Sequence, residues 1–481
     1  MAKLKEACGV VGTILGSECE KAEEAAYLSY LALNALQHRG QESAGIIAFD
    51  KLNNASLIRD MGLVSQIFTE DGLSLLEGHL SLGHARYSTT GRSEICNAQP
   101  ITINSKNFKT IALAHNGNLI NAQSLRQDLI NKNKTIVSNS DSELLVHILK
   151  DQLEEINIDN QNEILQTLKS ALDLAKGAFS LTIALGGDYL IGVRDRHGIR
   201  PLVLGKLLDG KGYILASETC ALDIVGAEFV REISEGEIIL IDQKLQIRSI
   251  FLDQIEPKFC LFELIYFARP DSIIKNIEIN AYREELGKQL ALTKPVPANA
   301  DIVIGVPDSG TPAAIGFAQA AGLSFANGLI KNRYIGRTFI QPTQAIRQLG
   351  IKLKLNPLPS VIKNKIVIVI DDSIVRGNTP NKLVKLLKEA GAKEVHLRIS
   401  SPPILWGCFY GIAMKDHELI ARRLNGQIEL IQNEIGADSL AYLDLKTVLK
   451  VTGQNIQNFC TACFNGHYPA GVSDEEKVLA L

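Results

Sequence analysis

Residues 366–379, IVIVIDDSIVRGNT, constrain what this chain can fold into more than any other stretch. Five consecutive β-branched apolar residues, 366–370, have the length and composition of a strand buried on both faces of a parallel sheet. Asp371 and Asp372 end it, at the carboxyl end where open α/β sheets bind their ligands. Ser373, Arg376, Gly377, Asn378 and Thr379 follow as a short polar turn. Thr379-Pro380 reads as the N-cap and first residue of a helix that carries Leu383, Val384, Leu386 and Leu387 and stops at Gly391. Free N–H groups at a helix start cradle phosphate. Two carboxylates beside such a loop suit the hydroxyls of a ribose phosphate, directly or through Mg2+. A solvated turn is the weaker reading, because two acids at a buried strand end are costly without a cation or ligand.

A chain of 481 residues exceeds one typical core, so two or three domains are expected. Its net charge of −3 gives no basic field, which argues against nucleic acid as a partner. No apolar run approaches the roughly 18 residues of a membrane span, and the start MAKLKEA has no apolar core, which argues against membrane insertion and secretion. A cytoplasmic protein is expected. Eight cysteines in so long a chain are not a disulfide scaffold, and each is judged by its neighbours.

Cys8 opens an apolar strand, CGVVGTIL, after seven small or charged residues. If the bond before it were cut, one residue would hold a thiol with a pKa of about 8.5 and an α-amine near 8, a nucleophile with its own base. A helix over 22–37 then leads into HRGQES (38–43) and a strand over 46–49. GHARYST (83–89) puts Arg86 at a strand end, AHNGNL (114–119) ends a strand in Asn116-Gly117, and Ser140-Asp141-Ser142-Glu143 has the spacing of a capping box. Together these segments resemble the class II glutamine amidotransferase domain. The resemblance implies Cys8 as nucleophile, the Asn116 side chain and Gly117 N–H as oxyanion hole, Arg86 on the glutamine carboxylate and Asp141 on its ammonium. The charges match what each end of an amino acid needs. His38 and His84 are expected to be structural. Short strands broken by turns between 171 and 242 suit a sandwich of antiparallel sheets. The run 194–201, RDRHGIRP, reads as a solvated turn, though its counterpart in the family packs near the domain interface. Cys19, Cys96 and Cys220 are read as structural.

Near residue 255 the pattern changes to alternating strand and helix, with buried strands expected at 302–306, 366–370 and 395–399 and hence a parallel sheet. PDSGTP (307–312) is a second small-residue turn with Thr-Pro at a helix start. These features resemble the type I phosphoribosyltransferases, which bind phosphoribosyl diphosphate (PRPP). The resemblance implies PRPP contacts from Asp371, Asp372, Ser373, Arg376, Gly377, Thr379, Asp308 and Ser309, with Ser309, Asp371 and Asp372 reaching Mg2+. Between the loops, 331–354 holds many basic residues and no acid. It reads as a cationic flap over the diphosphate, with Arg333, Arg337, Lys352 and Lys354 its foremost residues.

Cys460-Thr-Ala-Cys463 puts two thiolates within reach of one ion, and zinc, iron–sulfur and a redox pair all fit that spacing. The whole chain resembles the amidophosphoribosyltransferases, in particular their iron–sulfur branch with a propeptide. That resemblance implies a 4Fe-4S cluster on Cys260, Cys408, Cys460 and Cys463. It further implies a propeptide over 1–7, an N-terminal nucleophile sandwich domain over 8–255, and an α/β phosphoribosyltransferase domain over 256–481 ending in the cluster segment. The implied reaction is glutamine-dependent amination of PRPP to 5-phosphoribosylamine, releasing glutamate and pyrophosphate at the entry to purine synthesis, in a homo-oligomer (dimer or tetramer) inhibited by purine nucleotides. Asn378, Gly407 and Ala413 depart from the family pattern near the phosphate loop and Cys408. Two other readings are a glutamine-dependent sugar-phosphate aminating enzyme and a non-catalytic regulator that senses PRPP or nucleotides. The first would need a sugar isomerase domain in place of residues 366–379, and the second has no use for Cys8, Arg86, Asn116 and Asp141 together.

Overall fold

The computed structural model describes residues 8–17, 24–87, 94–332 and 355–473. Two antiparallel sheets form the first half. One has seven strands, ordered Glu228–Glu232, Val203–Lys206, Gly212–Ala216, Gly9–Leu15, Leu80–Arg86, Ser43–Phe49 and Ala55–Met61. The other has six, ordered Ile247–Phe251, Glu237–Asp242, Tyr189–Arg194, Gly177–Leu185, Lys109–Leu119 and Ile101–Ser105. Their facing sides bury Val10, Ile14, Leu82, Ala112, Ala114 and Leu190 in one apolar layer. Both central strands also bury their outer faces, one under the Ala25–Ala35 helix and the other under the Asp141–Leu153 and Gln161–Leu172 helices. Residues facing both ways must then be apolar, which is why Gly9–Leu15 and Gly177–Leu185 lack the alternation of a half-exposed strand.

The second half is a five-stranded parallel sheet, ordered Ser324–Phe325, Ile302–Gly305, Ile366–Asp371, Glu394–Ile399 and Ser439–Tyr442. Ile366–Asp371 lies at its centre with residues 366–370 fully buried, as its composition requires. Both loop helices start two residues earlier than Thr-Pro suggested: they run Gly310–Ala321 and Asn378–Glu389, with Ser309 and Gly377 as N-caps. Each proline sits at the third helical position, where its missing N–H costs nothing because the first turn's donors are unpaired anyway.

The halves are joined through an interior. Ile120, Ala178 and Ile199 of the first half share a core with Phe259, Leu261, Phe262, Ile404 and Phe464 of the second. A short parallel pair, Phe259–Cys260 with Phe459–Cys460, ties the start of the second half to its end. The run 194–201 is not a solvated turn. Arg194 and Arg200 are fully buried, Arg194 donating to the carbonyls of Arg200, Gly198 and Ile233 and Arg200 to that of Tyr410. A guanidinium with five donors can take over carbonyls that turning strands leave unpaired.

Candidate active site

Cys8 immediately precedes the strand Gly9–Leu15, whose register sets Gly9 opposite Ala85. That places Cys8 beside Arg86 and Tyr87. Its side chain is 5% exposed and its thiol donates to the Tyr87 carbonyl at 3.5 Å. Burial pushes the Cys8 thiol up from its ordinary value, with Glu42 and Asp141 adding to the effect and Tyr87 and Arg86 opposing it. Such a thiol needs a base before it can attack. Among the described residues no histidine is bonded to the Cys8 thiol: His38 is bonded to Glu218 at 2.8 Å and His84 to the His115 carbonyl at 3.1 Å.

Asn116 is fully buried, and neither atom of its amide has a hydrogen-bond partner. A buried amide left unpaired costs about 1–3 kcal/mol, so it points to a group that arrives with a ligand. The neighbouring N–H of Gly117 is turned away from the Gly177–Leu185 strand. Phe179, opposite Gly117, directs its N–H and C=O to Asp195. Gly117 and Phe179 are therefore a non-hydrogen-bonded pair, and the Gly117 N–H faces the other edge. On that edge His115, two residues earlier, donates its N–H to the Gln99 side chain, and the neighbouring strand has already ended its pairing at Leu113. Gly117 has φ +153°, and a Cβ there would lie 2.0 Å from the Ala178 oxygen, so only glycine fits.

Arg86 ends the strand Leu80–Arg86 at 3% exposure. Asp141 is the first residue of its helix and 6% exposed. Its carboxylate accepts from Leu119 N–H at 2.9 Å and lies 3.5 Å from His115 Nδ1. Burial pushes this carboxyl up, but His115 and Leu119 outweigh burial and hold it below the ordinary range, so it is ionised. The capping box does not form: Ser140 accepts from Ser142 N–H, while Glu143 turns back to Val137 and Ser138.

In the second half, Gly310 allows the Gly310–Ala321 helix to abut the end of the central strand, since a Cβ there would lie 2.7 Å from the Ile370 oxygen. The approach brings Ser309 to Asp372, whose carboxylate accepts from Ser309 and Ser373 hydroxyls at 2.5 Å each. Asp372 is 4% exposed and Asp371 half-buried. Thr379 and Gly377 lie at the start of the next helix as expected. Arg376 is held by Glu418 and Asp308 by Lys331, both ion pairs at the rim. Arg333, Arg337, Lys352 and Lys354 lie outside the described residues, as do residues 1–7 and Cys19.

Cys260, Cys408, Cys460 and Cys463 are free thiols that act on one another electrostatically. Cys260 sits opposite Cys460 in the short parallel pair. Burial raises the thiols of Cys260, to about 11, and of Cys460 and Cys463 further. Tyr410 N–H points at the Cys408 sulfur at 3.3 Å. Among the described residues no three Cys, His, Asp or Glu side chains converge as the ligands of one ion.

Sequence reasoning missed the buried charges behind Cys8: Arg39, Glu218, Glu263 and Arg200, each at most 1% exposed. The only signal was an acid inside an apolar run, as in FCLFELIYFA.

A family model described as a glutamine amidotransferase domain matches residues 84–223, and one described as a phosphoribosyl transferase domain matches 275–400. An amidophosphoribosyltransferase of Synechococcus elongatus is 49% identical over 478 residues, covering 98% of this chain and 93% of that protein. One of Mycobacterium tuberculosis is 46% identical, covering 97% and 86%. Among solved structures, the glutamine PRPP amidotransferase of B. subtilis, complexed with ADP and GMP, superposes with a TM-score of 0.87 at 41% identity, covering 97% of this chain and 98% of that one.

Proposed function

Since this chain belongs to the amidophosphoribosyltransferase family, we propose how its own residues divide that family's reaction. It is an enzyme that joins a glutamine amidotransferase to a phosphoribosyltransferase, acting at the first step of purine biosynthesis. The sugar-phosphate aminating and regulator readings give way to this one. The observation that carries the assignment of residues is the fully buried, unpartnered amide of Asn116 beside the outward-facing N–H of Gly117.

In our reading the Cys8 sulfur attacks the glutamine carboxamide carbon, and the Asn116 amide and Gly117 N–H receive the oxyanion. Asp141 takes the substrate ammonium and Arg86 its carboxylate. Because the buried thiol is raised and no histidine among the described residues is bonded to it, the proton goes to the α-amine that Cys8 gains once residues 1–7 are removed. Ammonia leaves, and water releases glutamate from the thioester. Ammonia then displaces pyrophosphate from C1 of PRPP. Asp371 and Asp372 hold the ribose hydroxyls, and the helix start at Ser373, Gly377 and Thr379 holds the 5-phosphate, with Arg376 at its rim. Asp308 and Ser309 cradle the diphosphate, under a flap carrying Arg333, Arg337, Lys352 and Lys354. Ser309, Asp371 and Asp372 would hold Mg2+, which offsets the charge of the departing diphosphate. The domain boundary is placed at residue 255.

Glutamine and PRPP supplied together are expected to yield glutamate and pyrophosphate in equal amounts, read by coupled assay. Glutamate without pyrophosphate would overturn the two-site reading.

The four cysteines would hold a 4Fe-4S cluster, which fits three buried thiols, the half-buried Cys408 beside them and the Tyr410 N–H aimed at its sulfur. Held there, it would staple chain segments together, and the reaction proposed needs no redox step from it. Intact mass and visible absorption of anaerobically purified protein test this together with processing. The expected result is a brown chain that begins at Cys8; a colourless protein removes the cluster, and a chain that keeps residues 1–7 removes the base. The relative complexed with ADP and GMP supports purine nucleotides as inhibitors here. A cytoplasmic homo-oligomer, dimer or tetramer, completes the proposal; light scattering reads its size.

A further inference from the structure

Behind Cys8 lie four buried charges that no step above uses. Arg39 donates Nε–H to the Cys8 carbonyl at 3.1 Å, Nη1 to Glu218 at 2.5 Å and to Glu263 at 3.1 Å, and Nη2 to Glu263 at 2.7 Å. Arg200 donates to the same Glu263 oxygen at 3.0 Å and to the Tyr410 carbonyl at 2.6 and 2.8 Å. Two guanidinium groups face two carboxylates, so the set is neutral. Glu218 also accepts from His38, the Arg269 N–H and the Ser272 hydroxyl.

Burying four charges brings no stability that well-packed apolar side chains would not match, so a geometric role is the better account of them. What they fix is a direction. The planar guanidinium of Arg39, gripped on two sides by carboxylates, can aim its remaining Nε–H only along one line, and that line ends on the carbonyl of Cys8. The grip from Glu263 is rigid, because its single π-helical turn, Glu263–Phe267, is braced by Arg283, which donates to the carbonyls of Leu264 at 3.0 Å and Ala268 at 2.9 Å. Glu263 lies 224 residues from Arg39, beyond the boundary at 255, and three residues from Cys260.

We propose that Glu263 is a positioning residue for glutamine hydrolysis: from the transferase half it orients Arg39, which holds the Cys8 backbone so that the sulfur faces the Asn116–Gly117 oxyanion site. The glutaminase site is thus incomplete without the second half of the chain. This rests on Cys8 being the nucleophile.

The test uses the full, cluster-loaded chain. E263Q keeps the shape and removes the charge; the double variant E263Q/R200Q also restores neutrality and guards against simple unfolding. Three quantities are read: kcat and KM for glutamine hydrolysis, the rate at which an electrophilic chloroketone analogue of glutamine labels Cys8 by mass, and PRPP affinity by calorimetry. Misplacing a reacting atom by about 1 Å costs roughly 100-fold. Both variants are expected to lose about 10- to 100-fold in kcat and in labelling rate, with KM and PRPP affinity within about threefold of the parent. Unchanged turnover and labelling in either variant that binds PRPP normally overturns the proposal. So does a parallel loss of PRPP binding in both, which would mean a purely structural role. Glutamine turnover surviving in Cys8→Ser would instead overturn the nucleophile assignment, an outcome separate from either result at Glu263.

Discussion

Cys8→Ser is expected to remove more than about 10,000-fold of glutamine-dependent amination while leaving PRPP affinity unchanged. The loss is chemical, not structural. Serine is smaller than cysteine, and its hydroxyl keeps an acceptor in the Tyr87 carbonyl that now receives the thiol at 3.5 Å, so the fold holds. A serine hydroxyl is a far weaker nucleophile at neutral pH, because its pKa lies far above that of a thiol and the same α-amine base generates far less of the reactive anion. Asn116 and Gly117 would still bind the carbonyl of glutamine, so the substrate is expected to accumulate in the site unhydrolysed. Product formation from glutamine and PRPP checks the loss, and calorimetric binding of glutamine to the variant checks its cause. Turnover within tenfold of the parent would mean that the thiol is not the attacking group.

Asp372→Asn is expected to cost about 100- to 1,000-fold in pyrophosphate release, the scale of removing one preorganised charge contact from a transition state. Asp372 is nearly fully buried, and each of its oxygens accepts a serine hydroxyl, Ser309 from the diphosphate loop and Ser373 from the phosphate loop. An amide offers one acceptor where the carboxylate offers two. One serine must therefore turn its hydroxyl to accept from the amide N–H, and the site loses the charge that would meet Mg2+ and the ribose. PRPP turnover and affinity are the measurements. Both staying within a factor of two of the parent would sink the assignment of this acid pair.

Elements that the local sequence dictates were the legible ones. Five β-branched residues ending in two aspartates pointed to a central parallel strand with its acids at the carboxyl end, and Ile366–Asp371 is such a strand. The need for glycine at 117 was legible in the sequence because it is forced by a backbone approach, which leaves a mark in composition. Helix starts shifted by two residues because Thr-Pro fits the first turn as well as its cap. The capping box at Ser140 failed because Glu143 had nearer N–H groups to satisfy at Val137 and Ser138. The run at 194–201 was misread because charge alone does not say whether carbonyls wait in the interior. The ion set around Arg39 left no trace of its pairing beyond an acid in an apolar run: its carboxylates lie 179 and 224 residues from Arg39, and only the fold brings such pairs together.

The strand pair that sets Cys260 opposite Cys460 has a bearing on how the protein is made. A ribosome finishes the sandwich early, yet the carbonyls of Phe409 and Tyr410, which Asn118 and Arg200 grip, and the Phe459–Cys460 strand come among the last segments to emerge. A nascent chain therefore carries Cys8 long before it carries the parts that hold that cysteine's neighbourhood in place. If Glu263 positions Cys8 as proposed, an unfinished or truncated chain is expected to hydrolyse no glutamine and so to shed no ammonia into the cell.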